Sequence, residues 1–279
     1  MPAVLGHEGS GIVEQVGQDV KHVAVGDHVL LTYNACLECT PCRRGNFSYC
    51  RFAEQACFGG SRLDNTRTFS LNGEDINSAY FGQSSFAKRS IVRGFCAVKV
   101  DKSLPLEVLC CIGCGVQTGA GTVMNVLKPQ VGSSVAVFGV GGVGLAAIMA
   151  AKNFTPATKI IAVDVVDSRL EMAKELGATH TLNSKGRDIV ELIHSVTDGD
   201  GVDCAMDGTG NLAVVQAMIA ATANNGIAAT VGGVPAGQHV NIEPGSWIQR
   251  GVSYIGSCQG SSVPQKVSWK SSKPEIVPV

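Results

Sequence analysis

Cys36, Cys39, Cys42 and Cys50 follow the pattern C-x2-C-x2-C-x7-C in a turn-rich stretch of the chain. Four thiols this close suit a structural zinc ion, tetrahedral and closed, with every ligand position filled by protein. A bacterial-type iron–sulfur cluster calls for C-x2-C-x2-C-x3-C-P, whereas here the last gap is seven and Arg51 follows Cys50. The chain has 11 cysteines, an odd count, and its first residues lack the basic start and apolar run of an export signal. Metal ligation and buried thiols are therefore expected in place of a disulfide framework. Cys110 and Cys111 read as small buried apolar residues.

A second pattern belongs to nucleotide chemistry. Gly139, Gly141 and Gly144 form G-x-G-x-x-G directly after the apolar run Val135–Val140, and a helical pattern opens at Val143. The first glycine allows the tight turn, the second lets a pyrophosphate approach the backbone, and the third lets helix and strand pack closely. The helix N-terminus adds free N–H groups and a partial positive charge. Asp164 ends the next strand, twenty residues beyond Gly144, where a carboxylate accepts hydrogen bonds from ribose hydroxyls. That carboxylate repels the extra phosphate of NADP, so NAD is expected, although Arg169 is of a type that accommodates such a phosphate.

The elements that position these residues change character along the chain. Up to about Asp101 the sequence reads as short strands broken by turns, as in "GSGIVEQVG" and "VGDHVLLTY". "LPLEVLCCIGCGVQTGAGTVMNVLK" then reads as a helical connector, weakened by its glycines. From Ser133 onward, six strand patterns alternate with helical ones: "SSVAVFGV", "KIIAVDV", "ATHTLN", "GVDCAMDG", "NGIAATVGG" and "GVSYIGS". This alternation predicts an α/β doubly wound parallel sheet whose six strands complete a Rossmann dinucleotide fold. No internal repeat of solenoid length is present.

Composition excludes other classes. With 45% hydrophobic and 16% charged residues and a net charge of −1, the chain reads as globular, with no basic block for nucleic acid and no membrane-spanning run. A cytoplasmic location is expected. His7 and Cys114 taken singly carry no ligand pattern, and His22, His28, His180, His194 and His239 read as structural or surface residues.

Four segments in one order give these singletons a meaning: "GHEGSGIV" at Gly6–Val13, the four-cysteine lobe, "GCGVQTGAG" at Gly113–Gly121 and "GVGGVG" at Gly139–Gly144. Together the chain resembles the zinc-containing medium-chain alcohol dehydrogenases. "YFGQSSFA" at Tyr80–Ala87 resembles the aryl- or benzyl-alcohol branch in particular. The resemblance implies a GroES-like zinc-binding catalytic domain over residues 1–115 and a Rossmann NAD-binding domain over 116–266. It implies that His7 and Cys114 are ligands of a catalytic zinc, that Glu8 is the acidic residue beside it, and that Thr118 lies near the nicotinamide. The implied cofactors are one structural zinc, one catalytic zinc and NAD. The implied reaction interconverts a primary, aryl-type alcohol and its aldehyde, with zinc as Lewis acid and nicotinamide as hydride acceptor.

The chain also departs from that pattern. Family members hold the catalytic zinc with two cysteines and one histidine, and the first of those cysteines, with the hydroxyl residue that starts the proton relay, precedes the "GHE" segment. Only five residues precede Gly6 here, so the GroES-like domain is read as truncated and Glu8 as the substitute ligand. At the other end the resemblance stops at Lys266. Residues 267–279 are read as an aberrant tail, since Lys-Val-Ser is also what a favoured splice-donor sequence encodes. Little benzyl alcohol oxidation is expected of such a chain. The rival expectation is an inactive fragment that binds NAD and one structural zinc. An exposed sixth strand, Val252–Ser257, leaves room for a homo-oligomer.

Overall fold

The computed structural model describes residues 2–263 and 276–278, which fall into two compact units. One comprises Met1–Cys114 with Ser262–Val279, the other Gly115–Ser261.

The first unit is built on a three-stranded antiparallel sheet. Strand β1 (Ser10–Ile12) pairs with β2 (His28–Leu31), and β2 pairs with β6 (Ala97–Val100). Val13, Val20, Val23, Val29, Leu31, Val92 and Ala97 form its apolar core. Between β2 and β6 the chain runs out through short helices α1 (Thr40–Arg43) and α2 (Ala53–Phe58). A small hairpin of β3 (Ser70–Leu71) and β4 (Glu74–Asp75) follows, then β5 (Ile91–Arg93). A second core of Tyr33, Phe47, Phe81, Phe95 and several buried cysteines supports this excursion. Phe47 meets Phe95 edge-on, with ring centroids 5.2 Å apart.

The expected helical connector is broken. It consists of α3 (Leu106–Leu109), a 3-10 turn over Cys110–Gly113, α4 (Gly115–Gly121) and a π-helical turn over Thr122–Leu127. The break falls at Cys114, with φ −140° and ψ −78°. Cys110 and Cys111 are half-exposed, unlike the buried residues expected, because the short turn places their thiols outside the core. Each donates a hydrogen bond to a carbonyl three residues back, of Glu107 and Val108.

The second unit has all six expected strands in one parallel sheet: β7 (Ser134–Phe138), β8 (Lys159–Asp164), β9 (His180–Asn183), β10 (Val202–Asp207), β11 (Thr222–Thr230) and β12 (Ser253–Gly256). Their order is β12-β11-β10-β7-β8-β9. Helices α5 (Gly142–Phe154), α6 (Asp167–Glu175), α7 (Ile189–His194), α8 (Leu212–Ala220) and α9 (Pro244–Arg250) lie between strands. The central strand β7 is wholly buried, as a parallel strand covered on both faces must be. Two apolar clusters flank the sheet, one around Val137, Ile148 and Met206, the other around Phe138, Ile161 and Met218. The order reverses between β7 and β10, and a ligand crevice is expected outside the carboxyl ends of the strands at that switch point.

Strand β13 (Ile276–Pro278) pairs antiparallel with β5. Residues 267–275 and 279 of the expected tail lie outside the described residues. Among the described residues, no single helix is long and apolar enough to cross a membrane.

Candidate metal and nucleotide sites

The four-cysteine lobe converges on one point. The sulfurs of Cys36, Cys39, Cys42 and Cys50 all lie within 4.8 Å of one another. The Cys36–Cys42 and Cys39–Cys42 pairs are 3.9 and 3.4 Å apart, close to the edge of about 3.8 Å that four Zn–S bonds of about 2.3 Å impose on a tetrahedron. Backbone N–H groups aim at the same sulfurs. Those of Glu38 and Cys39 donate to Cys36, that of Arg51 to Cys39, and those of Cys36 and Phe52 to Cys50, at 3.2–3.4 Å. Such donors favour the thiolate.

The thiols of the lobe differ in their tendency to ionise. Burial pushes Cys42 and Cys50 above the ordinary thiol value. Burial also opposes ionisation of Cys39, but the N–H groups of Arg51 and Cys42 and the thiols of Cys42 and Cys36 outweigh it and bring Cys39 down to about 6. A coordinated zinc deprotonates its thiols outright and resolves this tension. The donor set therefore fits zinc. The buried thiols outside the lobe behave differently. Burial, with nearby Cys57 and against the pull of Arg93, drives Cys96 up to about 12, and burial with nearby Asp203 does the same for Cys204, so both stay protonated. All eleven cysteines are free of disulfides.

A second cluster is made by His7, Glu8 and Cys114, whose ligand atoms also lie within 4.8 Å of one another. His7 and Cys114 are half-buried and Glu8 is exposed, the mixture expected of a site that keeps a position open to substrate. The His7 imidazole packs on Phe81 at 4.6 Å and edge-on to Tyr80 at 5.9 Å. Gly113 lies so close to β2 that an added Cβ would sit 1.9 Å from the Leu31 carbonyl oxygen. Only glycine fits before Cys114. An imidazole, a carboxylate and a thiolate form a donor set that zinc accepts.

In the second unit the glycine loop connects β7 to α5, with Gly139 at φ +83°. An added Cβ at Gly144 would lie 2.1 Å from the Gly139 carbonyl oxygen, which is the close packing expected of the third glycine. Gly141 and Gly142 are different, since a Cβ at either would meet nothing within 4 Å. The protein's own packing does not require glycine there, whereas a pyrophosphate lying against the backbone does. The residues present thus fit a dinucleotide. Gly142 went unremarked in the sequence pattern, although it opens α5 beside Gly141. Val143 follows it, and its carbonyl oxygen would lie 2.0 Å from a Cβ at Gly119, one residue beyond Thr118 in α4.

Asp164 ends β8 with only 7% of its surface exposed. Its Oδ2 accepts from the Val140 N–H at 2.8 Å, and its Oδ1 from the N–H groups of Val165 and Val166 at 2.8 and 3.0 Å. Arg169 lies 3.9 Å away as an ion-pair partner. The carboxylate thus anchors the glycine loop as well as standing where a ribose is expected. Asp207, fully buried at the end of β10, holds the neighbouring loop through the Thr209 hydroxyl and the N–H groups of Thr209 and Gly210. The only sequence signal for it was the "DGTG" turn after a strand.

Two families match by sequence model: the alcohol dehydrogenase GroES-like domain over residues 1–70 and zinc-binding dehydrogenase over residues 142–272. The chain is 39% identical over 266 residues to a probable alcohol dehydrogenase of a Pseudomonas species, covering 94% of this chain and 83% of that protein. It is 41% identical over 234 residues to the geraniol dehydrogenase of Castellaniella defragrans, covering 83% of this chain and 62% of the relative. Among solved structures, an alcohol dehydrogenase zinc-binding domain protein from Burkholderia ambifaria superposes with a TM-score of 0.90 at 47% identity, over 95% of this chain and 72% of that one. Benzyl alcohol dehydrogenase from Acinetobacter calcoaceticus gives a TM-score of 0.88 at 41% identity, with the same coverage.

Proposed function

Because the chain belongs to the family of zinc-binding alcohol dehydrogenases, we propose that it interconverts a primary, aryl-type alcohol and its aldehyde with NAD as hydride acceptor. The observation that carries this reading is the His7–Glu8–Cys114 cluster, a second and more open donor set beside the closed four-thiol lobe. The likeness to benzyl alcohol dehydrogenase supports the aryl assignment.

Each residue then has a task. Cys36, Cys39, Cys42 and Cys50 hold the structural zinc, and His7, Cys114 and Glu8 hold the catalytic one. Zinc at the second site supplies a Lewis acid that lowers the pKa of a bound alcohol. Gly139, Gly141 and Gly144, with the N–H groups that open α5 at Gly142 and Val143, receive the pyrophosphate. Asp164 accepts hydrogen bonds from the ribose, Arg169 stands beside it, and Thr118 borders the nicotinamide. NAD held there would supply the acceptor for the hydride of the alcohol carbon, with the alcohol's proton released. We assign the metal chemistry to the first unit and the dinucleotide to the second.

His7, Glu8 and Cys114 supply an imidazole, a carboxylate and a thiolate, so turnover should depend on metal at this site. Metal analysis should find about two zinc ions per chain, and NADH formation from benzyl alcohol should rise with added zinc. His7→Ala should remove the second ion and the turnover together. Only one ion in the unmutated chain would favour the alternative, an inactive member that binds NAD and structural zinc alone. Turnover unchanged in His7→Ala would defeat the proposal.

Cofactor choice gives a separate test. Asp164 places a negative charge where the extra phosphate of NADP would lie, so calorimetry should show tighter binding of NAD. Asp164→Ala should narrow the gap between the two cofactors. It should also weaken both, since the Val140 N–H loses its acceptor. Equal affinities in the unmutated protein would rule this assignment out.

A further inference from the structure

Gln83 carries an amide yet is only 1% exposed, and it belongs to neither cluster of metal-binding donors. A buried amide is costly when its polar groups go unpaired, and here both ends are paired. Its Oε1 accepts from the Gly9 N–H at 3.1 Å. Its Nε2 donates to the His7 carbonyl oxygen at 3.0 Å and to that of Thr32 at 3.4 Å. Thr32, itself 2% exposed, donates from its hydroxyl to the Gly113 carbonyl oxygen at 3.0 Å. Hydrogen bonds therefore run from the backbone of His7 through Gln83 and Thr32 to the residue preceding Cys114.

The surroundings reinforce this path. Residues 80–86 also supply the two rings against His7. The N–H groups of Ser85 and Phe86 donate to the carbonyls of Gly6 and Leu5, and the Leu31 N–H donates to that of Gly9. Segments distant in sequence are thus fixed against the end of β2, each next to a metal-binding side chain.

We propose that Gln83 is a positioning residue for the His7–Glu8–Cys114 metal site, setting the spacing of its ligands through Thr32. The inference rests on the reading that these three residues hold zinc. Positioning of this kind contributes because a ligand displaced by a fraction of an ångström lowers metal affinity, typically by about 10- to 100-fold when a supporting partner is lost.

Gln83→Met keeps the volume and removes all three hydrogen bonds, and Thr32→Val removes the hydroxyl tie to Gly113. Zinc affinity is measured by chelator competition on the full chain, and the cobalt(II)-substituted protein is followed by its visible absorption. The second ion should bind about 10- to 100-fold more weakly in Gln83→Met, with its cobalt bands altered and the four-thiolate ion unaffected. Thr32→Val should weaken the same ion, and the double variant should lose less than the two single losses combined. Should Gln83→Met fail to fold, the affinity and cobalt spectrum of Thr32→Val decide alone. Unaltered affinity and spectra for the second ion, whatever happens to the melting temperature, would overturn the role of Gln83. An unmutated chain holding one ion would instead overturn the metal-site reading, and this inference with it.

Discussion

Replacing Cys42 by serine should strip the lobe of its zinc, about one ion per chain, and expose residues 36–50 to proteases. Cys42 is 1% exposed and its sulfur lies within reach of those of both Cys36 and Cys39. Serine is smaller and does not ionise there, so three thiolates would remain around an open position. Structural zinc contributes roughly 10–16 kcal/mol of apparent binding free energy in small domains. That is as large as the whole stability of a typical fold, roughly 5–15 kcal/mol. The excursion between β2 and β6 has little regular structure of its own, only short helices, a small hairpin and the three-residue β5. Without the ion it should open locally. Metal analysis with limited proteolysis and mass mapping would check this. Full zinc content and an unchanged cleavage map would show that these sulfurs do not bind the ion.

Gly144→Ala should sharply weaken dinucleotide binding while leaving both metal sites intact. The added Cβ would lie 2.1 Å from the Gly139 carbonyl oxygen, and both partners are backbone, so no side-chain rotation relieves the clash. Helix α5 must retreat from the glycine loop by about 1 Å to restore ordinary contact, and overpacking of this kind costs about 1–3 kcal/mol. Since the strain falls on the binding loop, NAD affinity should drop by about tenfold to a hundredfold at 1.4 kcal/mol per decade. Calorimetry measures the affinity, and metal analysis of the same sample controls for folding. NAD binding at the unmutated strength would mean that the loop does not carry the cofactor.

These two sites were legible in the sequence because each is local. Four cysteines between Cys36 and Cys50, or a glycine triplet between a strand and a helix, report their geometry through spacing alone. The parallel sheet was legible for a related reason, as β7 and β8, buried on both faces, appear as apolar runs, and the remaining strand patterns alternate with helical ones. The His7–Glu8–Cys114 cluster was different. Nothing in the spacing joins His7 to Cys114, and only resemblance to a family suggested it. The break in the connector was hinted at by glycines, but its place was set by packing of Gly113 against Leu31. Gln83 was invisible, because a glutamine in sequence reads as surface until its partners are known. Cys110 and Cys111 were misjudged since a thiol satisfied by a nearby carbonyl does not need the core.

The double attachment of Asp164 has an evolutionary consequence. Its carboxylate holds the Val140 N–H and the N–H groups that follow β8, so the side chain proposed to choose the cofactor also keeps the loop in shape. A lineage drifting toward the phosphorylated dinucleotide could not discard this acid in one step without slackening its own scaffold. The accessible route is through the periphery. Val165, Val166 and Arg169 are all exposed, and exchanging them for charged or neutral residues would alter charge around the proposed ribose position while the anchor stays in place. Selection for altered cofactor use should therefore accumulate changes at those three positions first, with position 164 the last to yield.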